Sequence, residues 1–352
     1  MSEITFSVDT AELRKGLALV KPVLGKGYNL PVLNHVRLEV AGGFVTISAT
    51  DLEMGASYVI GMAGDTAVSI VHGKSLADAI PTGKGKTTFT MGDDGSVTAC
   101  TAGITSSLPT MPAEEWPRLS ARPEVAGQVA VAPFADVIPA VGDDRARPIL
   151  CQVSMSGREL AATDSFRLHV AQRPADEIEL AGLVDQRLVK LTLKAAKAAK
   201  VDTFGIGIDD DHVLTTAGAF TGWHAVQQGE FPPYANLIPA EMPLRIDLST
   251  AGPILAAAVK ALPANERLLV RITLNAAVRV HAEREGMTIV DQSLPIGQST
   301  AGQEFTVAYN PRYLSAAFDG SDRVLEVTDA LKPALFRDDR GGIRLVMPVR
   351  VS

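Results

Sequence analysis

The sequence predicts an α+β protein in which one unit of antiparallel strands and two helices occurs three times. The tripeptide Ala-Thr-Asp at residues 49–51 returns at residues 162–164, which is 113 residues later. The tripeptide Thr-Ala-Gly at residues 101–103 returns at residues 216–218, which is 115 residues later. One such match occurs by chance, but matches in the same order at nearly one offset indicate an internal repeat.

An aromatic–proline pair adds a third match, because Trp116-Pro117 returns as Phe231-Pro232 after 115 residues. The length of 352 residues leaves room for a third unit of similar size. Its trace is a helix-like stretch late in each third, at Val71–Ile80, Leu191–Ala199 and Asn310–Phe318. The predicted domains are residues 1–122, 123–241 and 242–352, with extended linkers after the aromatic–proline pairs.

Each predicted domain contains short strands that are joined by tight turns and interrupted by two helices. Alternation of apolar and polar residues predicts strands within residues 36–50, 153–163 and 268–283. Tight turns are predicted at Gly42-Gly43 and at Ser156-Gly157. Helical spacing predicts helices at Thr10–Val23, Val71–Ile80, Pro133–Val141, Thr192–Val201, Thr250–Ala261 and Pro311–Phe318.

Composition limits the function classes. With 46% hydrophobic and 21% charged residues the chain is typical of a soluble globular protein. It has no apolar run long enough to span a bilayer and no visible signal peptide, so we expect no membrane partner. Two cysteines, Cys100 and Cys151, make neither a disulfide framework nor a metal cluster, and a cytoplasmic location is expected. The net charge of −7 argues against nucleic acid only as a sum, because the placement of the charge matters more.

Positive charge is concentrated on one predicted helix. Between Arg187 and Lys200 the chain has five basic residues and no acidic one. On a helix of about 100° per residue, four of them fall within an arc of roughly 120°. These four are Lys190, Lys194, Lys197 and Lys200. A solvated helix face and a surface for a polyanion both account for this arc.

Further basic residues lie on or beside the other predicted helices, which favours the polyanion. The candidate residues for contact with a polyanion are Arg14, Lys15, Lys21, Lys26, Lys74, Arg145, Arg147, Lys190, Lys194, Lys197, Lys200, Lys260 and Arg312.

Motifs that resemble catalytic or ligand sites fail on inspection. Gly83–Thr87 resembles the end of a phosphate-binding loop but lacks the glycine five residues earlier. The acidic run Asp209–Asp211 beside His212 is more typical of a solvated turn than of a metal site. Ser165 beside Asp164 has no histidine partner in sequence. We therefore expect no catalysis, no metal and no cofactor.

Several segments together resemble the bacterial DNA polymerase III beta subunit (beta sliding clamp) family. They span the chain in the family's order: Leu30–Leu33, Ile47–Glu53, Ala162–Leu168, Glu230–Tyr234, Ile238-Pro239, Asn310–Leu314, Val327–Asp329 and Val346–Arg350. The resemblance implies three similar α+β clamp domains per chain, with helices inside and antiparallel sheets outside. Two chains would close head to tail into a ring around duplex DNA, which is bound without regard to sequence.

The same resemblance implies one pocket for a short peptide motif with hydrophobic anchors. The proteins that carry this motif would be DNA polymerase III alpha and other polymerases, the clamp loader and repair proteins. Carried over by position, the pocket comprises Leu150, Thr163, Ser165, Phe166, Arg167, Leu168, Pro239, Asn310, Tyr313, Leu331, Pro333, Val346, Met347, Pro348, Val349 and Arg350. Phe166 stands where the family usually has histidine, so a more apolar pocket is expected.

At the implied dimer interface the corresponding residues are Ser106, Leu108, Leu262 and Pro263. Ser106 replaces an aromatic residue and Pro263 an aliphatic one, so ring closure could be weaker. Two alternatives therefore stay open. One is an accessory or phage-type clamp that acts as an interaction module with weak closure. The other is a hydrolase or transferase that uses Asp51 or Asp164 as its acid.

Overall fold

The structure is a computed structural model that describes residues 3–25, 30–61, 66–239, 242–247, 270–275, 277–284, 287–295, 306–318 and 324–350. Residue contacts divide the chain into two compact units. Unit 1 consists of residues 1–131 and 187–226, and unit 2 consists of residues 132–186 and 227–352. The domain boundaries near residues 122 and 242 stay predictions.

The described strands, in chain order, are β1 (Ile4–Asp9), β2 (His35–Ala41), β3 (Phe44–Thr50), β4 (Met54–Gly61), β5 (Ala67–His72), β6 (Lys86–Met91), β7 (Val97–Thr101), β8 (Ile104–Leu108), β9 (Thr110–Met111), β10 (Gly127–Ala130), β11 (Gln152–Ser156), β12 (Glu159–Thr163), β13 (Arg167–Gln172), β14 (Gly182–Asp185), β15 (Thr203–Ile208), β16 (His212–Ala217), β17 (Phe220–Ala225), β18 (Leu244–Asp247), β19 (Val270–Asn275), β20 (Ala277–Arg284), β21 (Met287–Pro295), β22 (Thr306–Tyr309), β23 (Val324–Val327), β24 (Ala334–Arg337) and β25 (Ile343–Val346). The described α-helices are α1 (Thr10–Val20), α2 (Gly73–Ala79), α3 (Val131–Val137), α4 (Gln186–Ala199) and α5 (Pro311–Phe318).

Unit 1 contains a four-stranded sheet in the order β1-β6-β7-β8 and a nine-stranded sheet in the order β10-β15-β16-β17-β4-β3-β2-β5-β9. The pair β17–β4 connects strands of the first and second predicted domains, with Phe220 opposite Tyr58 and His224 opposite Met54. The large sheet is therefore continuous across the predicted repeat.

Unit 2 contains an eight-stranded sheet in the order β14-β11-β12-β13-β25-β24-β23-β18 and a four-stranded sheet in the order β21-β20-β19-β22. The pair β13–β25 connects the second and third predicted domains, with Arg167 opposite Val346 and Val170 opposite Ile343. All strand pairs of the described residues are antiparallel, as in β13–β25 and β17–β4, which confirms the α+β class.

Helix α1 shows why these segments adopt their structure. Its first turn is capped by Asp9, whose Oδ1 accepts the Glu12 backbone N–H at 2.9 Å. Apolar residues at helical spacing, including Leu13 and Leu17, are buried against the sheet. Gly16 permits this packing, because a Cβ there would lie 2.6 Å from the Cδ1 of Ile47.

The helices predicted within the described residues are present in the structure, but most of them begin or end at other residues than predicted. The helix predicted at Thr10–Val23 is α1 followed by a 3₁₀ turn at Lys21–Val23, and Pro311–Phe318 is α5. The prediction Val71–Ile80 was too long at its start, because Val71 belongs to β5. The prediction Pro133–Val141 is α3 with a 3₁₀ turn at Ile138–Ala140, and Thr192–Val201 lies largely in the earlier-starting α4. The helix predicted at Thr250–Ala261 lies outside the described residues.

One predicted turn is displaced. Gly42 and Gly43 form the β2–β3 turn as expected, both with positive φ. The second turn lies at Gly157 and Arg158 rather than at Ser156-Gly157, because Ser156 still pairs with Glu159 in the ladder.

One side chain of each predicted linker segment contacts a strand of its unit. In unit 1 the guanidinium of Arg122 lies 3.5 Å from the ring centroid of Trp223, a cation–π contact. In unit 2 the hydroxyl of Tyr234 donates to the carboxylate of Glu159, and burial, together with this bond, raises the pKa of Tyr234.

Gly55 tests the continuity of the sheet in unit 1. Gly55 is the direct partner of Trp223 in the β17–β4 pair, and a Cβ there would lie 2.2 Å from the indole Nε1. We predict that Gly55→Ala lowers the free energy of unfolding by about 1–3 kcal/mol through overpacking. Gly61→Ala is the matched control, because the same strand has nothing within 4 Å of that position. Urea unfolding monitored by tryptophan fluorescence measures the effect. Equal midpoints for the two variants would contradict this account.

His169 makes the stability of unit 2 depend on pH. Its side chain is 1% exposed, Nδ1 donates to the Asp136 carbonyl at 2.8 Å, and burial lowers its pKa to about 3. The unfolded chain binds this proton near pH 6.5, so the stabilisation is complete above that pH and is lost as pH falls towards 3.

We predict that the unfolding free energy falls by about 2 kcal/mol more between pH 7.5 and 5.0 in the unmodified protein than in His169→Gln. Glutamine keeps a donor for the Asp136 carbonyl but does not titrate, so other groups cancel in the difference. Chemical denaturation at the two pH values measures it, and parallel pH profiles would refute the assignment.

Candidate functional site

The centre of the candidate site is the turn between β12 and β13 in unit 2. Thr163 Oγ1 donates to the Arg167 carbonyl at 2.7 Å and accepts the Ser165 N–H at 3.1 Å. Asp164 Oδ1 accepts the N–H groups of Phe166 at 2.9 Å and Arg167 at 3.1 Å, while Oδ2 pairs with Arg167 Nε at 2.9 Å. Side-chain oxygens thus satisfy the backbone of the turn.

The same turn recurs in unit 1 between β3 and β4. Thr50 Oγ1 donates to the Met54 carbonyl at 2.8 Å, and Asp51 Oδ1 accepts the Met54 N–H at 2.7 Å. Leu52 has φ +78° and Ser165 has φ +79°, a left-handed backbone that the aspartate bonds hold in both places. The repeated Ala-Thr-Asp motif therefore encodes a turn.

This bonding argues against either aspartate as a catalytic acid. Asp51 Oδ1 accepts backbone N–H groups, and its Oδ2 lies 2.9 Å from Arg187 Nη1. In Asp164 both oxygens are also occupied, and the side chain is 13% exposed. Each carboxylate is engaged in structure, which disfavours the hydrolase or transferase alternative.

A cavity of about 520 Å³ opens beside the second of these turns. This volume is in the range of small-ligand pockets. Its lining comes from well-separated segments of unit 2: Thr163, Ser165, Arg167, Leu168, Asn236, Leu237, Pro239, Thr328, Leu331, Lys332, Pro333, Leu345 and Met347. The pairing of β13 with β25 places two of these segments side by side, and Met347 N–H donates to the Phe166 carbonyl at 2.9 Å.

Large apolar side chains are exposed at this cavity. Leu331 is 73% exposed, Leu237 58% and Met347 38%. Single exposed apolar residues are common on protein surfaces, but a cluster of them with a polar rim marks a binding surface. The cavity is therefore suited to an apolar anchor.

An aromatic pair stands next to the cavity. Phe166, which is 55% exposed, stacks on Tyr313 with 6.5 Å between ring centroids, and the guanidinium of Arg167 lies 4.3 Å from the centroid of Tyr313. Phenylalanine at this position offers an apolar ring without a titrating nitrogen.

The structure brings together half of the sixteen residues predicted for the pocket. Eight line the cavity: Thr163, Ser165, Arg167, Leu168, Pro239, Leu331, Pro333 and Met347. Phe166 and Tyr313 adjoin it, whereas Val346 is wholly buried in an apolar core and presents no surface to a ligand. Leu150 is 9% exposed, Asn310 accepts the Arg312 N–H at its own helix start, and Val349 and Arg350 are exposed. Pro348 is half-buried.

Five lining residues were missed by sequence analysis: Asn236, Leu237, Thr328, Lys332 and Leu345. The first two lie in a 3₁₀ turn at Tyr234–Leu237, directly after the recognised Pro-Pro-Tyr segment. Lys332 lies between two residues that were predicted. The only signal in the sequence that could have identified these residues was their position next to a recognised motif.

The predicted basic face of α4 is exposed. Leu188, Leu191 and Ala195 are among the buried residues of the helix, while Lys190, Lys194, Lys197 and Lys200 are exposed. Lys200 ends the helix in a left-handed conformation with φ +58°.

Several predicted DNA contacts also make bonds within the chain. Lys194 Nζ donates to the Ala18 carbonyl of α1 at 2.8 Å, and Arg14 Nη1 donates to the Ile80 carbonyl at 2.9 Å. Lys15 pairs with Glu12, and Arg147 pairs with Asp144. Exposed side chains are also found at Lys21, Lys74, Arg145, Lys190, Lys197, Lys200 and Arg312. Lys26 and Lys260 lie outside the described residues.

Two predicted interface residues lie on β8, an edge strand of the four-stranded sheet in unit 1. Ser106 is half-buried, Leu108 is 4% exposed, and Ile104 on the same strand is 68% exposed. Leu262 and Pro263 lie outside the described residues.

The acidic run near β16 forms a turn, as the sequence indicated. Asp209 Oδ1 accepts the N–H groups of Asp211 and His212. Within the described part of the chain, histidine, cysteine and carboxylate side chains form no group of three suited to a metal ion. None of the helices in the described ranges has the length and apolar character needed to cross a bilayer.

The chain is similar in sequence to known sliding-clamp proteins. The profile of the DNA polymerase III beta subunit, N-terminal domain, matches residues 4–120. A beta sliding clamp of Streptomyces coelicolor is 25% identical, with 92% of this chain and 93% of that protein covered. A beta sliding clamp of Caulobacter vibrioides is 23% identical, with 98% and 99% covered.

Solved structures share the fold along the full length. A beta sliding clamp of Caulobacter crescentus has a TM-score of 0.84 at 20% identity, covering 99% of this chain and all of that one. A sliding clamp of Pseudomonas aeruginosa, bound to griselimycin, has a TM-score of 0.83 at 20% identity, with 99% and 100% covered. Residues 4–120 thus match the DNA polymerase III beta subunit family, and the whole chain is similar to beta sliding clamps in sequence and in fold.

Proposed function

We propose that this chain is a DNA sliding clamp: two copies close head to tail around duplex DNA and tether the replicative polymerase for processive synthesis. The observation that carries this proposal is the full-length match to clamps, 99% of this chain on all of a solved clamp, with a lysine-bearing helix in the same chain. The accessory-type alternative, with weak closure, is less favoured.

Sequence-independent contact fits the groups on α4. Lysines are point charges on flexible stems, so they attract phosphates without reading base edges. A clamp must move along DNA, and a base-specific contact would hold it at one site. Exposed Lys190, Lys197 and Lys200 supply such contacts, and Lys194 remains close to them while bonded to α1.

The cavity in unit 2 serves partner recruitment in this proposal. An extended peptide from DNA polymerase III alpha, another polymerase, the clamp loader or a repair protein places apolar side chains over Leu237, Leu331 and Met347. Met347 adapts its unbranched side chain to different anchors. The griselimycin complex of the Pseudomonas aeruginosa clamp supports a ligand role for clamps of this fold.

Ring closure uses edge strands. Among the described strands, β8 in unit 1 and β21 in unit 2 each lie at the end of a sheet, with one neighbouring strand. Such edges pair readily with another chain. We propose that β8 of one copy meets the third domain of the other, and that the complete ring acts without catalysis.

Two lysines of α4 test the DNA contact. We predict that Lys197→Ala/Lys200→Ala reduces the slope of log K against log salt by about 2, since each phosphate contact contributes about 0.9. Anisotropy with a short labelled duplex measures the slope over a salt series. Lys84→Ala/Lys86→Ala is the matched control, because it removes two exposed lysines of the same unit that lie off the helices. Identical slopes for both double variants would exclude α4 from the DNA contact.

Retention on DNA tests the ring itself. We predict that protein loaded by the host's clamp loader on nicked circular plasmid co-elutes with it in gel filtration and is lost after the plasmid is cut. Open ends release a ring but not a groove-bound protein.

Sedimentation should give a dimer near twice 37.1 kDa. Equal retention before and after cutting, or a monomer at micromolar concentration, would reject the proposal.

A further inference from the structure

Four basic residues form a stripe along α4, and helix geometry divides them into two pairs. Arg187 and Lys194 are seven residues apart, which is nearly two turns, so they lie within roughly 20° of each other around the axis. Lys190 and Lys197 are also seven residues apart, and they lie roughly 40–80° from the first pair. Arg187 and Lys194 therefore form one edge of the stripe.

Both edge residues bond to elements that come much earlier in unit 1. Arg187 Nη1 lies 2.9 Å from Asp51 Oδ2, in the turn between β3 and β4. Lys194 Nζ donates to the Ala18 carbonyl, in the last turn of α1, at 2.8 Å. These bonds join α4 to segments 136 and 176 residues earlier in the chain. This edge of the stripe is thus engaged within the protein.

The Ala18 carbonyl needs a donor from outside its own helix. In an α-helix this carbonyl accepts the N–H four residues later, but residue 22 is a proline and has no N–H. The N–H of Lys21 is already bonded to the Leu17 carbonyl. The last turn of α1, which lies wholly within the described residues, has no basic side chain of its own. Lys194 supplies both a donor and a positive charge at the negative end of the helix.

We propose that Lys194 is a positioning residue: it braces α4 against α1 by replacing the donor that Pro22 lacks, and it does not itself contact a phosphate. The inference rests on the proposed DNA contact of α4. The brace holds the last turn of α1, with Lys21 directly after it, against the lysine stripe. The two helices come from different repeats, and the brace lets them present their charges as one surface.

Backbone amide exchange tests the brace without DNA. We expect Lys194→Met to speed exchange in the last turn of α1 by about 3-fold, the scale of a cation at a helix C-terminus. Lys194→Arg keeps a donor and the charge, so it should keep the slow rate. Lys197→Met is the control of equal charge change on the same helix and should leave exchange in α1 unchanged. Equal rates for the unmodified protein and Lys194→Met would overturn the brace.

A change at the proline tests why the brace is needed. In Pro22→Ala the new N–H is available to the Ala18 carbonyl within the helix. Exchange in the last turn of α1 should then no longer depend on residue 194. A 3-fold effect of Lys194→Met that persists in the Pro22→Ala background would overturn the role assigned to the proline.

DNA affinity separates positioning from direct contact. Anisotropy with a short labelled duplex is measured at about 0.15 M salt, where charges more than about 8 Å apart are largely screened. Lys194→Met should weaken binding about 3-fold in the unmodified background and not in the Pro22→Ala background. A loss of equal size in both backgrounds would mean that Lys194 contacts phosphate, and would overturn the proposal. If the unmodified protein binds no duplex, the proposed function fails, whereas the exchange rates still decide whether the brace exists.

Discussion

Main-chain hydrogen bonding between strands of different repeats is the constraint on which the rest of the structure depends. Strand β17 pairs with β4 in unit 1, and β13 pairs with β25 in unit 2. Each pairing turns two half-sheets into one, so backbone groups that would be exposed at an edge are satisfied. The cavity in unit 2 follows from the second pairing, because it sets Thr163–Leu168 against Leu345–Met347.

The repeated Thr-Asp turn shows how one motif can resemble a catalytic element while serving the fold. Its aspartate holds a left-handed residue at Leu52 in one copy and at Ser165 in the other. Non-glycine residues rarely adopt this conformation, so the side-chain bonds that stabilise it must be kept. The two copies diverge only in their second oxygen, which pairs with Arg187 in one and Arg167 in the other.

Local sequence predicted the local structure well. Helix α1 and helix α5 have strong apolar spacing and clear ends, and both were predicted within a few residues. The start of α2 was misplaced because Val71 pairs with Val36 in the neighbouring strand. The spacing of apolar residues does not reveal such a tertiary contact. The offset of 115 residues taken from the Thr-Ala-Gly repeat was one residue too small. Thr101 and Ala217 are the last residues before equivalent hairpin turns, and they are 116 positions apart.

The site was predicted less completely than the fold. The family resemblance supplied the residues on β12, β13 and β25, but Asn236 and Thr328 enter from turns whose path depends on packing. A helical wheel correctly placed the lysines of α4 on the exposed side. It could not show that Lys194 reaches the end of α1, because that contact joins segments 176 residues apart.

The assembly of the cavity from distant segments also sets when the site can first exist. Strand β25 and Met347 form one wall, and β13 needs that strand as its neighbour. A chain still on the ribosome and ending before Met347 would lack the wall, whatever the state of its earlier domains. The cavity is therefore complete only in chains that have been translated through β25 and Met347.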